Sequence, residues 1–198
     1  MSNLLTTKIQ VKNIFLILII FCSLVGCKNQ EPNQGKIVTD YYKAFDSGDY
    51  KKIKSLIDDS VTIVAGDFVT PFDKESYYEQ FRWDSIFQPS YEIVEINKLD
   101  DQIIATVSVS SLRFQFLKNN PLICSHEISF NDDKISRLKE IEFIDADWNV
   151  WQQERDSLVS WIKINHPELD GFINDLSMQG AINYLQAIDL YQSNGENF

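Results

Sequence analysis

The chain is poor in the residues with which proteins build metal, redox or nucleotide sites. Its 198 residues include three cysteines, two histidines and seven glycines. The histidines and thiols do not occur at metal-ligand spacing, and no glycine-rich loop that could cradle a phosphate is present. We therefore expect neither a metal nor a cofactor.

Positive charge is also scarce. The chain has 18 lysines and arginines against 29 aspartates and glutamates, which gives a formal net charge of −11. An acidic surface repels the phosphate backbone of DNA and RNA. A nucleic-acid partner is therefore not expected.

No apolar run is long enough to span a membrane. The run from Ile14 to Phe21 follows a basic head with Lys8 and Lys12. The whole apolar stretch to Gly26 covers about a dozen residues, whereas a transmembrane helix needs roughly 20. A basic head before a short apolar run is typical of a secretory signal peptide.

The signal ends in Leu24-Val25-Gly26-Cys27, followed by Lys28. These residues resemble the lipobox of bacterial lipoproteins, which implies cleavage between Gly26 and Cys27 and a diacylglycerol on the Cys27 thiol. Two or three acyl chains give stable membrane anchoring. The absence of aspartate after the cysteine favours the outer membrane, so we expect an outer-membrane location in the cell envelope, on either the periplasmic or the surface-exposed leaflet. The alternative is an ordinary secretory signal in which Cys27 has no role.

The chain divides into five predicted segments. They are a signal peptide (1–26), a flexible polar tether (27–35), a globular domain (36–145), a helical extension (146–192) and a disordered tail (193–198). Loss of the signal removes two lysines and no acid, which moves the net charge to −13. Cys22 leaves with the signal and Cys27 carries lipid. Cys124 then has no partner for an internal disulfide.

The domain is predicted to be of the α+β class. The spacing of Ile37, Tyr41 and Phe45 predicts a helix, and Ser47 is expected to cap a second one. Asp58-Asp59-Ser60 is expected to form a turn before a strand at 61–64, and Thr70-Pro71 to begin a helix that runs to about residue 87. Alternating apolar residues then predict strands over 91–96, 105–109, 112–116, 122–130 and 135–144, and helices return after residue 147.

The segments Tyr41–Asp49 and Leu56–Ile63 resemble the nuclear transport factor 2-like superfamily, which includes SnoaL-like cyclases and ketosteroid isomerases. The resemblance covers about residues 36–144. It implies a cone in which N-terminal helices lie on a curved antiparallel sheet, here followed by the helical extension. Three tryptophans in that extension predict that it packs on the sheet or over the cone, or else that it offers a surface for a partner or a second copy.

The resemblance also implies roles for individual residues. In ketosteroid isomerases a tyrosine at the position of Tyr41 stabilises an enolate oxygen, and a second donor falls near His126. Their general base falls on Ala65, whereas Asp67 lies two residues further on. Because an isomerase needs a carboxylate to move the proton, the missing base argues against that chemistry.

We expect a pocket lined by Tyr41, His126, Phe114 and Trp83, with no catalytic residue assigned. His126 and Tyr41 have the alternative of being ordinary core residues, and Cys124 is expected to be a small buried hydrophobe. The first functional hypothesis is a non-enzymatic envelope lipoprotein that binds a small apolar ligand, a protein partner or a second copy. The alternatives are a cyclase or isomerase that uses His126 with Tyr41, and a structural or assembly module.

Overall fold

The computed structural model describes residues 34–195. Gly26 and Cys27, the predicted cleavage and lipidation residues, lie outside the described residues. The helices are α1 Gln34–Asp46, α2 Tyr50–Leu56, α3 Lys74–Ser85, α4 Leu112–Phe116, α5 Trp148–Asn165 and α6 Met178–Gly195. The first four are interspersed with the strands, and the last two follow the final strand. Two short 3-10 turns, Pro167–Leu169 and Phe172–Asn174, connect α5 to α6.

Six strands form one mixed, curved and unclosed sheet. They are β1 Ile57–Ala65, β2 Phe68–Asp73, β3 Ser90–Leu99, β4 Gln102–Ser110, β5 Leu122–Asn131 and β6 Lys134–Ile144. Their order in the sheet is β2-β1-β6-β5-β4-β3. All neighbours are antiparallel except β1 and β6, which run parallel. The predicted α+β class, with N-terminal helices on a curved sheet and a C-terminal helical part, is confirmed, although the sheet is mixed and not wholly antiparallel.

One core lies between the sheet and the N-terminal helices. Val38, Tyr41 and Tyr42 lie on one face of α1 and are buried, as their spacing requires. In β4 the buried residues Ile103, Ala105 and Val107 alternate with residues that are only partly buried. The period of two therefore directs one face of this strand toward the helices.

A second core joins the C-terminal helices to α3 and α4. Leu158 and Ile162 from α5 and Ala187 from α6 are completely buried there, together with Leu117. The C-terminal helices thus bury their apolar faces mainly against other helices.

The helix predicted to begin at Thr70-Pro71 begins later. Thr70 and Pro71 belong to β2, an edge strand that pairs only with β1 among the described strands. Proline is tolerated on an edge strand because its missing N–H breaks no internal ladder bond. The N-cap is Asp73, whose carboxylate accepts hydrogen bonds from the backbone N–H groups of Glu75 and Ser76.

The strand predicted over 112–116 is instead the short helix α4. Ser111 caps it, since its Oγ accepts a hydrogen bond of 3.1 Å from the backbone N–H of Phe114. Both Phe114 and Phe116 are buried, one in the wall of the cavity described below and the other in the second core. Three apolar residues at alternate positions fit a strand and a single helical turn equally well, and the cap decides between them.

Three smaller expectations also differ from the structure. Asp49, and not Ser47, caps α2, because its carboxylate accepts from the backbone N–H of Lys52. Residues 58–60 continue β1 and do not form a turn. At the domain ends, α1 includes residues 34 and 35 of the predicted tether, and α6 includes residues 193–195 of the predicted tail.

Candidate functional site

A cavity of about 460 Å³ lies between the sheet and the helices α1 and α3. All six strands contribute to its wall, as do α1, α3 and α4. Phe68 and Leu176 belong to the wall and are 78% and 64% exposed, which places them at the mouth. The wall is mostly aromatic and aliphatic, so its few polar groups decide what the cavity can bind or do.

The first polar feature is a pair of tyrosines on the helical side. The hydroxyl groups of Tyr41 in α1 and Tyr77 in α3 are hydrogen-bonded to each other, and both side chains are buried. Burial raises the pKa of both phenols, so both stay protonated at neutral pH. This pair can donate or accept a hydrogen bond but cannot act as a base near pH 7.

A tyrosine and a carboxylate form the second feature. Tyr91 Oη in β3 donates a hydrogen bond of 2.6 Å to Asp84 Oδ2 in α3. Burial, followed by the nearby Asp84 charge, raises the pKa of Tyr91 well above its ordinary value. The ring of Tyr91 packs against those of Tyr42 and Phe45, with centroids 6.1 and 5.5 Å away.

His126 in β5 lies next to Tyr42. Their ring centroids are 6.1 Å apart. Burial lowers the pKa of His126 to about 4, so the imidazole is neutral at pH 7. The buried Nδ1 of His126 and the buried Oη of Tyr42 have no hydrogen-bond partner among the described residues. Two buried polar atoms on neighbouring side chains of the wall are therefore left without a partner.

Glu140 in β6 completes the polar side of the wall. It is the register partner of His126 in the antiparallel β5–β6 pair, and both residues line the cavity. Burial raises the pKa of Glu140. Burial, followed by the charge of Glu140, also raises the pKa of Cys124 to about 12, so this thiol is not a nucleophile at neutral pH.

The structure brings together three of the four residues predicted to line a pocket. Tyr41, His126 and Phe114 are in the wall, but Tyr41 is engaged with Tyr77, and the tyrosine beside His126 is Tyr42. Trp83 lies in the second core instead, where its Nε1 donates a hydrogen bond to the backbone oxygen of Asp175.

The position where the isomerase resemblance requires a base also lies at the cavity. Ala65 belongs to the wall, and its side chain can move no proton. Asp67 lies in the exposed turn between β1 and β2 and is not part of the wall. Neither residue supplies the missing carboxylate.

Sequence reasoning missed Tyr42, Tyr77, Tyr91, Asp84 and Glu140. Tyr42 and Tyr77 lie on buried helix faces, where an aromatic ring indicates core packing as readily as a site. Glu140 could have been identified from the sequence, because it lies two residues after Leu138 and therefore on the same, buried face of β6. An acid on an apolar face is a candidate for function.

Residues 34–195 contain neither a metal-binding cluster nor a membrane-spanning helix. No group of three or more His, Cys, Asp or Glu side chains is placed to hold a metal ion. None of the helices in this range has the length and apolar character needed to cross a bilayer.

Comparisons with known proteins give similar solved structures only. No protein-family model and no curated protein sequence matches the chain. A proposed polyketide cyclase from Sinorhizobium meliloti is 16% identical, with a TM-score of 0.47, over 54% of this chain and 94% of its own. A nuclear transport factor 2-like protein from Cytophaga hutchinsonii is 9% identical, with a TM-score of 0.47, over 59% and 94%. A proposed ketosteroid isomerase from Kribbella flavida is 9% identical, with a TM-score of 0.46, over 58% and 79%. At these values the function has to be argued from the cavity itself.

Proposed function

We propose that this protein is a lipid-anchored lipoprotein of the bacterial cell envelope whose domain binds a small, largely apolar ligand in the cavity. The volume of about 460 Å³ lies within the range of about 300–1,000 Å³ that is usual for ligand sites. A mostly apolar wall with a few convergent polar groups is also the usual composition of such sites.

The observation that carries this proposal is the pair of unpartnered polar atoms. A buried polar atom without a hydrogen bond costs about 1–3 kcal/mol, so proteins seldom leave one in a purely structural core. Here two such atoms, His126 Nδ1 and Tyr42 Oη, belong to adjacent residues of one cavity wall. A ligand with one polar group can relieve such a deficit once a wall side chain shifts to uncover the atom, while its apolar body fills the rest of the cavity.

The test is calorimetric titration of the full-length protein in a non-ionic detergent with 1-adamantanol, a compact apolar probe with one hydroxyl group. We expect saturable binding that is lost in Ala65→Trp, which places an indole in the cavity wall. Ile164→Trp is the matched control, because Ile164 is 79% exposed on α5 and does not line the cavity. Equal binding to the wild type and to Ala65→Trp would contradict the proposal.

The anchoring part of the proposal depends on Cys27. Its support is the order of basic head, short apolar run and lipobox-like residues at the start of the chain. Cys27→Ser should remove the acyl chains and release the protein from the membrane fraction. If Cys27→Ser stays in the membrane fraction like the wild type, the lipoprotein interpretation fails. A protein partner and a homodimer remain untested predictions.

A second candidate is acid–base chemistry of the cyclase or isomerase type. One observation favours it: His126 and Glu140 are register partners on adjacent strands, and burial raises the pKa of Glu140. Against it, His126 has a pKa of about 4 and is therefore a weak base at neutral pH. Ligand binding is for this reason the first candidate.

The two candidates are separated by exchange of α-protons. 2-Tetralone, an enolisable ketone, is incubated with the protein in deuterated buffer and followed by NMR. An enzyme would accelerate deuterium uptake, and Glu140→Gln would abolish the acceleration. A binding protein would leave the rate at the buffer value.

A further inference from the structure

The charged side chains that the described residues contribute to the cavity wall are all acidic. Its charged residues in the described part of the chain are Asp84 and Glu140, and it contains neither lysine nor arginine. His126 adds no positive charge at neutral pH. An anionic ligand such as a fatty acid would therefore enter a wall that offers no counter-charge and two carboxyl groups.

The acidic groups lie at the two ends of a row of aromatic rings. Asp84 accepts the hydrogen bond of Tyr91, whose ring packs on Tyr42. The ring of Tyr42 in turn neighbours that of His126, and His126 is the register partner of Glu140. Organic cations are attracted to the faces of aromatic rings, and a carboxylate in the same cavity adds the attraction of an opposite charge.

The two carboxylates are not equivalent. Asp84 already accepts a hydrogen bond from the hydroxyl group of Tyr91. Glu140 makes no hydrogen bond and no ion pair through its carboxylate with any residue of the described range, and burial raises its pKa. A desolvated carboxylate without a partner gains more from a nearby cation than one that is already hydrogen-bonded.

A second observation concerns the same stretch of the wall. Tyr42 is 5% exposed and its Oη has no hydrogen-bond partner among residues 34–195. The Nδ1 atom of the neighbouring His126 is also buried and without a hydrogen-bond partner among these residues. Tyr42, His126 and Glu140 therefore all belong to the wall of the same cavity, and His126 neighbours both of the others.

We propose that the cavity selects a ligand with a protonated amine on an apolar body, held with the ammonium group against the rings of Tyr42 and Tyr91 and with Glu140 as its counter-ion. This inference rests on the proposed ligand-binding function and adds the charge of the ligand to it. The strongly acidic chain, with a formal net charge of −11, also attracts cations and repels anions over longer distances.

The experiment compares three probes that share the adamantyl body and differ in charge. 1-Adamantanamine is cationic, 1-adamantanol is neutral and 1-adamantanecarboxylate is anionic at pH 7. Each is titrated by calorimetry into the full-length protein in a non-ionic detergent, with a blank titration into detergent alone. We expect the amine to bind at least about tenfold more tightly than the alcohol, and the carboxylate to bind more weakly than the alcohol.

Variants then assign the preference to Glu140. Glu140→Gln should lower amine affinity about tenfold, to near that of the alcohol, and a far-UV circular dichroism spectrum like that of the wild type shows that the variant is folded. Glu142→Gln is the matched control, because Glu142 lies on the same strand, is exposed and does not line the cavity. It should leave both affinities unchanged.

The possible failures are distinguishable. If none of the three probes binds, the proposed ligand-binding function fails and this inference fails with it. If the alcohol binds as tightly as the amine, or if the preference for the amine survives in Glu140→Gln, the cavity still binds apolar ligands but the cationic selectivity is overturned. An equal loss in Glu142→Gln would assign the preference to overall charge and would overturn the role of Glu140.

Discussion

Replacement of Asn119 by alanine should strongly destabilise the protein, because this side chain connects the sheet domain to the C-terminal helices. Asn119 is 6% exposed and lies between α4 and β5. Its Nδ2 donates to the backbone oxygens of Leu117 and Asp147, both at 3.1 Å, and its Oδ1 accepts from the backbone N–H of Asp147 at 2.7 Å. Asp147 in turn is the N-cap of α5.

The magnitude follows from the three lost hydrogen bonds. Each contributes about 0.5–1.5 kcal/mol net, and alanine would leave the paired backbone groups of Asp147 without that partner. We therefore expect Asn119→Ala to lower the free energy of unfolding by about 2–4 kcal/mol. The first turn of α5 should also be destabilised, since the orientation of its N-cap depends on Asn119.

The assay is urea unfolding of the full-length protein followed by tryptophan fluorescence. Three of the four tryptophans lie in α5, the helix that Asp147 caps, and the fourth lies in α3. Asn149→Ala is the matched control, because Asn149 is exposed on the first turn of α5 and should change stability by less than about 0.5 kcal/mol. A loss below about 1 kcal/mol in Asn119→Ala would refute the reasoning.

Three further predictions concern other parts of the fold. Gly180→Ala should lower the urea concentration at the unfolding midpoint, because the new Cβ would lie 2.0 Å from the backbone oxygen of Asp175. This effect is opposite to the usual preference of helices for alanine over glycine. An unchanged midpoint would contradict this packing. Tyr77→Phe should cost about 1–2 kcal/mol in the same assay, because Tyr41 loses its buried hydroxyl partner, and a gain in stability would count against the pair. His126 stays neutral in the folded protein down to a pKa of about 4, whereas the unfolded chain binds a proton near pH 6.5, so folding stability should fall as pH drops through this window. His126→Gln should reduce that fall, and parallel stability–pH profiles of variant and wild type would show that the histidine is not buried as described.

The strands could be predicted where one face of the sheet is buried. In β4 the buried residues recur at every second position, and in β5 the buried residues Leu122, Cys124 and Ile128 share one face, so the alternation is visible in the sequence. The pattern fails at 112–116, where the same alternation belongs to a helical turn whose cap is Ser111. The sequence pattern also misleads at Thr70-Pro71, two residues that are typical of a helix start. They lie instead on an edge strand, where the missing N–H of proline breaks no internal hydrogen bond of the sheet. Local signals of similar strength compete at these places, and tertiary packing selects one of them.

The candidate site was less accessible to prediction than the fold. His126 could be found because it interrupts an apolar strand face, but its neighbour could not. Tyr41 and Tyr42 are adjacent on α1 and both are buried, and only the packed structure shows that Tyr42 meets His126 while Tyr41 meets Tyr77. The pairing of His126 with Glu140 depends on a register shift in β5–β6, which has no sequence signature.

The central claim is that the cavity binds a small ligand with an apolar body, and methyl NMR of the full-length protein tests it most directly. With 1-adamantanamine added, we predict intermolecular NOEs from the adamantyl protons to the methyl groups of Ile63, Val109 and Leu138, which line the cavity. Leu158 and Ile188, buried in the second core, should show none. NOEs confined to the second core, or none to any of the three cavity residues, would contradict the account.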